Sequence, residues 1–192
     1  MTHHDEVKVK VAMPEVLGLF VVAYIAAMVG LVLLDIGTAA ANMYMVFAFL
    51  PYAALAFAIV AVFSYLNDNM FATALFGILA VFFYGFPAVA AELIGGNIGF
   101  EDLALYVFFA AIFLLVMGVV SFAQPVKMVT AVILLAGLTF LVVGLWIWGG
   151  MDSSTYEMVG GILGVLTALV SLYLPVAIMF NTMKNENVLP IK

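Results

Sequence analysis

The sequence predicts an all-α polytopic membrane protein of six transmembrane helices, with both termini on the cytoplasmic side (N-in/C-in). Three observations carry this. Hydrophobic residues make up 68% of the 192 residues and charged ones only 8%, a balance with too little polar surface for a soluble domain. Apolar runs recur six times with turn formers between them. Each is long enough, at ~1.5 Å of rise per residue, to cross a hydrocarbon core of ~30 Å. The cations are few and segregated. Lys8, Lys10, Lys127, Lys184 and Lys192 are the only lysines, and there is no arginine. A six-span path puts all five on one side, where an odd span count would split them, and lysine-bearing segments face the cytoplasm.

The elements follow in order. Residues 1–12 form a polar cytoplasmic tail, residues 13–181 the membrane domain and residues 182–192 a second cytoplasmic tail. The first tail is expected to be retained, because a long span follows it with no small-residue cleavage pattern. Span one runs from about Pro14 to Leu34 and carries no charge after Glu15. Proline suits a first turn, where its missing N–H would be unpaired anyway. Glu15 suits the positive end of the helix dipole. Ala26 and Gly30 make a small-xxx-small pair that admits a neighbouring backbone, and Gly160, Gly161 and Gly164 offer the same in span six. Asp35 to Thr38 is a short turn. Span two runs from about Ala40 to Phe63, with Pro51 inside it, and Ser64 to Asn69 is a polar loop. Span three runs from Met70 to about Ile94, with Pro87 in its second half. After a loop over 95–102, span four runs from Leu103 to about Phe122. A tight connection over 123–127 leads to span five, Met128 to Trp148. After a loop over 149–155, span six runs from about Glu157 to Phe180, with Pro175 near its end. Trp146 and Trp148 are expected at the outer interface. No run alternates apolar and polar residues as a barrel strand would.

The chemistry available is narrow. Without cysteine or arginine, thiol catalysis, disulfides and guanidinium clamps are excluded. The net charge of −6 argues against nucleic acid or an anionic lipid surface as the main partner. His3 and His4 sit in a tail, and no metal or cofactor is expected. Glu15, Asp35, Glu92 and Glu157 all lie at span ends, where they read as interfacial caps. No carboxylate lies near a span centre, and no residue set for hydrolysis is present, so an enzyme is not expected. Tyr24, Tyr44, Thr73, Tyr84, Thr139, Thr167, Ser171 and Tyr173 are among the few polar residues within spans. Each can bond a neighbouring helix or touch a small polar solute. Pro51, Pro87 and Pro175 free the carbonyls of Phe47, Phe83 and Ser171, which would accept a bond from an undissociated acid or an amide. In the aromatic cluster Phe71, Phe76, Phe82, Phe83, Tyr84 and Phe86, at most one or two side chains are expected on a pore wall, since phenylalanine toward lipid is ordinary.

The order of motifs resembles the acetate uptake transporter family, which includes the bacterial acetate–succinate transporters. That family opens span one with Asn-Pro-Ala-Pro-Leu-Gly-Leu. Met13-Pro14-Glu15-Val16-Leu17-Gly18-Leu19 is similar at Pro14, Leu17, Gly18 and Leu19. Between spans two and three the family carries Glu-Tyr-x-x-Gly-Asn-Thr-Phe and then Phe five residues on. Here Ser64-Tyr65-Leu66-Asn67-Asp68-Asn69-Met70-Phe71 and Phe76 take those places. Tyr173 and Asn181 keep a span-six spacing, and Val188-Leu189-Pro190-Ile191 repeats the family's ending. The departures are Met13 and Glu15 for Asn and Ala, Phe57 for a glutamine in span two, and Ser64 and Ile178 for glutamates ending spans two and six. The resemblance implies a six-helix protomer with its own pore, packed as a homo-hexamer in the plasma or inner membrane. It implies a channel or transporter for small monocarboxylates, acetate above all, with succinate and proton coupling left open. It aligns Val22, Leu79 and Leu134 with the narrowest point. The motif residues Pro14, Leu17, Gly18, Leu19, Asn69, Phe71, Phe76, Tyr173 and Asn181 would follow the substrate path. Two other readings fit the same spans: a pore for a small neutral solute such as urea or ammonia, and a structural subunit that conducts nothing.

Overall fold

A helix satisfies its own backbone polar groups, which is what a run of apolar residues needs in lipid. In the computed structural model, which describes residues 13–36 and 39–191 but not the side chains of 39–43, each apolar run is one helix. They are α1 (Glu15–Leu33), α2 (Ala39–Leu66), α3 (Met70–Ile94), α4 (Phe100–Val120), α5 (Lys127–Trp148) and α6 (Ser154–Lys184). A single 3₁₀ turn, Ser121–Ala123, joins α4 to the connection before α5. All six are long and apolar enough to cross a membrane, and no strand occurs among the described residues. The all-helical, six-span expectation is borne out.

The ends differ from the expected spans for local reasons. The Gly99 N–H donates to Asp102 Oδ2 at 2.9 Å, so α4 starts at Phe100, ahead of its first apolar run. Ser153 caps α6, which begins at Ser154 and runs past the expected tail boundary to Lys184. There Asn185 turns left-handed and ends it. The helices continue through Pro51, Pro87 and Pro175.

Packing closes the helices into a ring. α1 lies between α2 and α6, α6 against α5, α5 against α4, α4 against α3, and α3 against α2. The closest crossing is α1 on α6. A Cβ on Gly30 would stand 2.7 Å from the backbone nitrogen of Val165, and one on Gly164 would stand 2.9 Å from Gly30 Cα. The small residues of the two helices therefore meet within one chain, as close-packed membrane helices require. The thinnest seam, α3 against α4, is crossed by Tyr106, whose hydroxyl donates to the Phe82 carbonyl at 2.9 Å while its ring stacks on Phe82. Trp146, expected at the interface, is buried among Leu33, Leu103 and Val107, whereas Trp148 is half exposed and rests against Phe108.

Candidate functional site: an axial cavity with one polar mouth

The ring encloses a cavity of about 200 Å³ to which all six helices contribute. α1 lines it with Glu15, Leu19, Val22, Ala26 and Val29. That is one helical stripe rising ~21 Å at 1.5 Å per residue. Glu15 is the only charged residue among the described lining, and the walls beyond it are almost wholly apolar.

At the mouth, Glu15 Oε1 accepts hydrogen bonds from Asn69 Nδ2 at 2.8 Å and Ser64 Oγ at 3.2 Å. Asn69 is also the N-cap of α3, its Oδ1 accepting from the Ala72 N–H at 3.1 Å. One amide side chain thus starts α3 and fastens it to α1. Gln124, from the connection between α4 and α5, joins the same lining.

The long wall comes from α3. Phe71, Leu75, Phe76, Leu79, Phe82, Phe83 and Phe86 follow one another at helical spacing and all face the cavity. This corrects the expectation of one or two aromatic wall residues: of the cluster named above, Tyr84 alone points out, with 73% of its surface exposed. Aromatic rings at three- and four-residue steps form one face of a helix, so burying that face brings in all of them. Phe57 of α2, fully buried, stacks on Phe76 and Phe83 at 5.7 Å each and backs the wall.

Across the cavity, two threonines interrupt the apolar surface. Thr139 of α5 and Thr167 of α6 both line it, with hydroxyl oxygens 3.2 Å apart. Each hydroxyl also lies 2.8 Å from the carbonyl one turn back, Leu135 for Thr139 and Leu163 for Thr167.

The sequence-derived candidates fall into three groups. Val22, Leu79, Leu19, Asn69, Phe71 and Phe76 line the cavity. Pro14 and Gly18 support it: Pro14 stands at the start of α1, and Gly18 has no Cβ because the Phe76 ring occupies that space. Leu17 is exposed on the outer face of α1. Leu134 is not part of the wall. It lies over Gly118 of α4, because α5 turns its neighbours Ile133 and Ala136 inward instead. Tyr173 and Asn181 are not part of it either. The Asn181 amide exchanges two 2.8 Å hydrogen bonds with the Leu189 backbone, and the Tyr173 hydroxyl donates to the Pro190 carbonyl at 3.0 Å. These two residues hold the Val188–Ile191 ending against the bundle, where Ile191 packs into a cluster containing Leu19, Val132 and Leu174. The spacing shared by Tyr173, Asn181 and the ending is therefore that of a folded-back strap.

A closed ring of six apolar helices around an axial cavity makes this a multi-pass membrane protein with an internal path. The chain belongs to the GPR1/FUN34/yaaH family, whose family model matches residues 2–191. It is similar in fold to the solved structure of the bacterial acetate channel SatP, at 18% identity over 95% of this chain and 100% of that one, with a TM-score of 0.83. Among curated proteins, none matches the chain by sequence.

Proposed function

We propose that this protein is a channel or transporter for small monocarboxylates, acetate first among them, and that it carries them in the undissociated form. The observation that carries the reading is the axial cavity, whose only charge among the described lining residues stands at one mouth. A carboxylate in such an interior would be desolvated with no cation to meet it, which is costly. The undissociated acid needs only hydrogen-bond partners. Family membership and the likeness in fold to an acetate channel support acetate as the acid. The test is uptake of labelled acetate into proteoliposomes, against protein-free liposomes, with succinate and urea as controls. Protein-dependent flux should rise as external pH falls toward the acid's own pKa at fixed total acetate. Flux equal to that of protein-free liposomes would refute the reading, and urea flux without acetate flux would replace it with a neutral-solute pore.

Two companion readings go with it. The lysine distribution supports both termini, and with them the Glu15 mouth, on the cytoplasmic side of the cell membrane. A shallow outer groove between α1 and α6, lined by Ala23, Ala27, Ala168 and Leu172, suits a helix of a second copy and supports a homo-hexamer, as the family resemblance implies. A one-subunit mass by light scattering in mild detergent would overturn that assembly.

A further inference from the structure

We propose that Thr139 and Thr167 form a hydrogen-bond-accepting station inside the cavity that selects ligands bringing an O–H or N–H donor, and so ranks the undissociated acid above its anion. Two hydroxyls hold two protons. They face three oxygen contacts: Leu135 O and Leu163 O at 2.8 Å each, and each other at 3.2 Å. A carbonyl can only accept. If both protons go to the two shorter contacts, the hydroxyl oxygens face each other with lone pairs and no proton between them. If one proton bridges the hydroxyls, one carbonyl contact loses its donor. Both carbonyls already accept a backbone N–H of their own helix, so what every arrangement leaves without a donor is hydroxyl lone pairs, on two residues that line the cavity.

The surroundings sharpen this. Thr139 is 6% exposed and Thr167 1%, and they lie on facing helices near the middle of α5 and α6. The lining beside them on α5 is Ala136, Phe140 and Val143, none of which carries a donor, and the buried Ser171 hydroxyl one turn along α6 bonds to neither threonine. A buried pair in deficit favours whatever delivers a donor. An undissociated monocarboxylic acid delivers one O–H and leaves its short apolar end against the phenylalanine wall of α3. An acetate ion delivers only acceptors, and to bind it at least one hydroxyl would have to turn away from its carbonyl. Threonine bonded to the carbonyl one turn back is a common way to satisfy a hydroxyl in a helix. Two such residues in contact with one another on a cavity wall go beyond that role.

The inference rests on acetate being the substrate, and the experiment separates the two. In proteoliposomes at mildly acid pH, labelled acetate uptake is measured with competing acetamide, a neutral donor of similar shape, and methyl acetate, which has no donor. In the native protein acetamide should compete and methyl acetate should not. The double variant Thr139→Val/Thr167→Val keeps the shape and removes both hydroxyls. It should lose acetamide competition and weaken apparent acetate affinity about two- to ten-fold, the worth of one net hydrogen bond. Thr139→Ser/Thr167→Ser keeps both hydroxyls and should restore acetamide competition, also covering the case that the valine pair fails to fold. Native protein that moves no acetate sinks the functional reading itself. Native protein that moves acetate, with unchanged affinity and acetamide competition in the valine pair, sinks the threonine station alone. Equal competition by methyl acetate in the native protein also sinks it.

Discussion

A methyl group at Gly30 has no room, and the cost follows from the geometry. Its Cβ would stand 2.7 Å from Val165 N and 3.0 Å from both Gly161 O and Gly164 C. Unstrained carbon contacts lie at about 3.5–4.0 Å. All three obstacles are backbone, so no side chain can rotate aside, and α1 and α6 must separate by roughly 1 Å. Overpacking of this kind costs ~1–3 kcal/mol. At about 2–4 °C per kcal/mol for a chain of this size, Gly30→Ala should lower the apparent melting midpoint by roughly 2–12 °C. Intrinsic fluorescence in mild detergent reads this, since buried Trp146 reports on the bundle. Gly77→Ala is the control, because among the described residues its Cβ would meet only Ala61 Cβ, at 3.9 Å. There alanine gains ~0.5–1 kcal/mol over glycine within a helix, so the midpoint should hold or rise. Gly164→Ala should fall like Gly30→Ala. The double variant should fall by less than the sum, because the first methyl already opens the crossing that the second would need. A Gly30→Ala midpoint equal to the native one, or a fall matched by Gly77→Ala, would refute the close crossing.

Leu134→Ala should lower the midpoint while leaving the succinate-to-acetate flux ratio unchanged, since that side chain packs on Gly118; Leu79→Ala, on the cavity wall, should raise the ratio. Identical ratios for both variants would count against the assigned wall. Because the chain has no native cysteine, Asp152→Cys should react with an impermeant maleimide from outside and Asn185→Cys should not, and the reverse pattern would overturn the lysine argument. Asn181→Ala removes both bonds to Leu189 and should expose the chain ending to added protease while acetate flux persists; loss of flux with an intact ending would return Asn181 to the substrate path.

What was legible in the sequence was whatever a bilayer dictates through length and charge. Six runs of the right length and five lysines on one side define spans and connections without any knowledge of which helices touch. Which face of each helix looks inward was harder to read, because the helices are apolar all round and amphipathicity carries little signal. Leu134 shows the consequence: one step along α5 from Ile133 rotates a side chain by about 100°, from the cavity to Gly118. On α3 the missing signal was present as spacing. Residues 72, 75, 76, 79, 82, 83 and 86 step by three and four, the mark of a single face, and reading the aromatics one by one as lipid-facing hid it. Thr139 and Thr167 were visible as polar residues in two spans, yet only the fold brings residues 28 positions apart to 3.2 Å. Tyr173 and Asn181 had their spacing read correctly and its meaning missed, because a hydrogen bond to a backbone leaves no pattern in side chains.

Glu15 joins two departures from the family pattern that look independent in the sequence. The family ends span two with a glutamate where this chain has Ser64, and it opens span one with an alanine where this chain has Glu15. In the fold, Ser64 Oγ donates to Glu15 Oε1 at 3.2 Å, and Asn69 donates to the same oxygen at 2.8 Å. The position that departs by losing a carboxylate thus meets the position that departs by gaining one. A partly buried carboxylate needs donors near it; a second carboxylate at position 64 would repel the first, whereas a serine supplies a proton. The mouth carboxylate of this chain therefore stands at the start of α1, with the serine at the end of α2 as one of its donors. In the first turn of α1 it also faces the positive end of the helix dipole, which α2 could not offer at its C-terminal end. Read singly, each substitution suggests a weakened site. Read in space, Ser64 and Glu15 meet at one mouth, with its carboxylate held from α1.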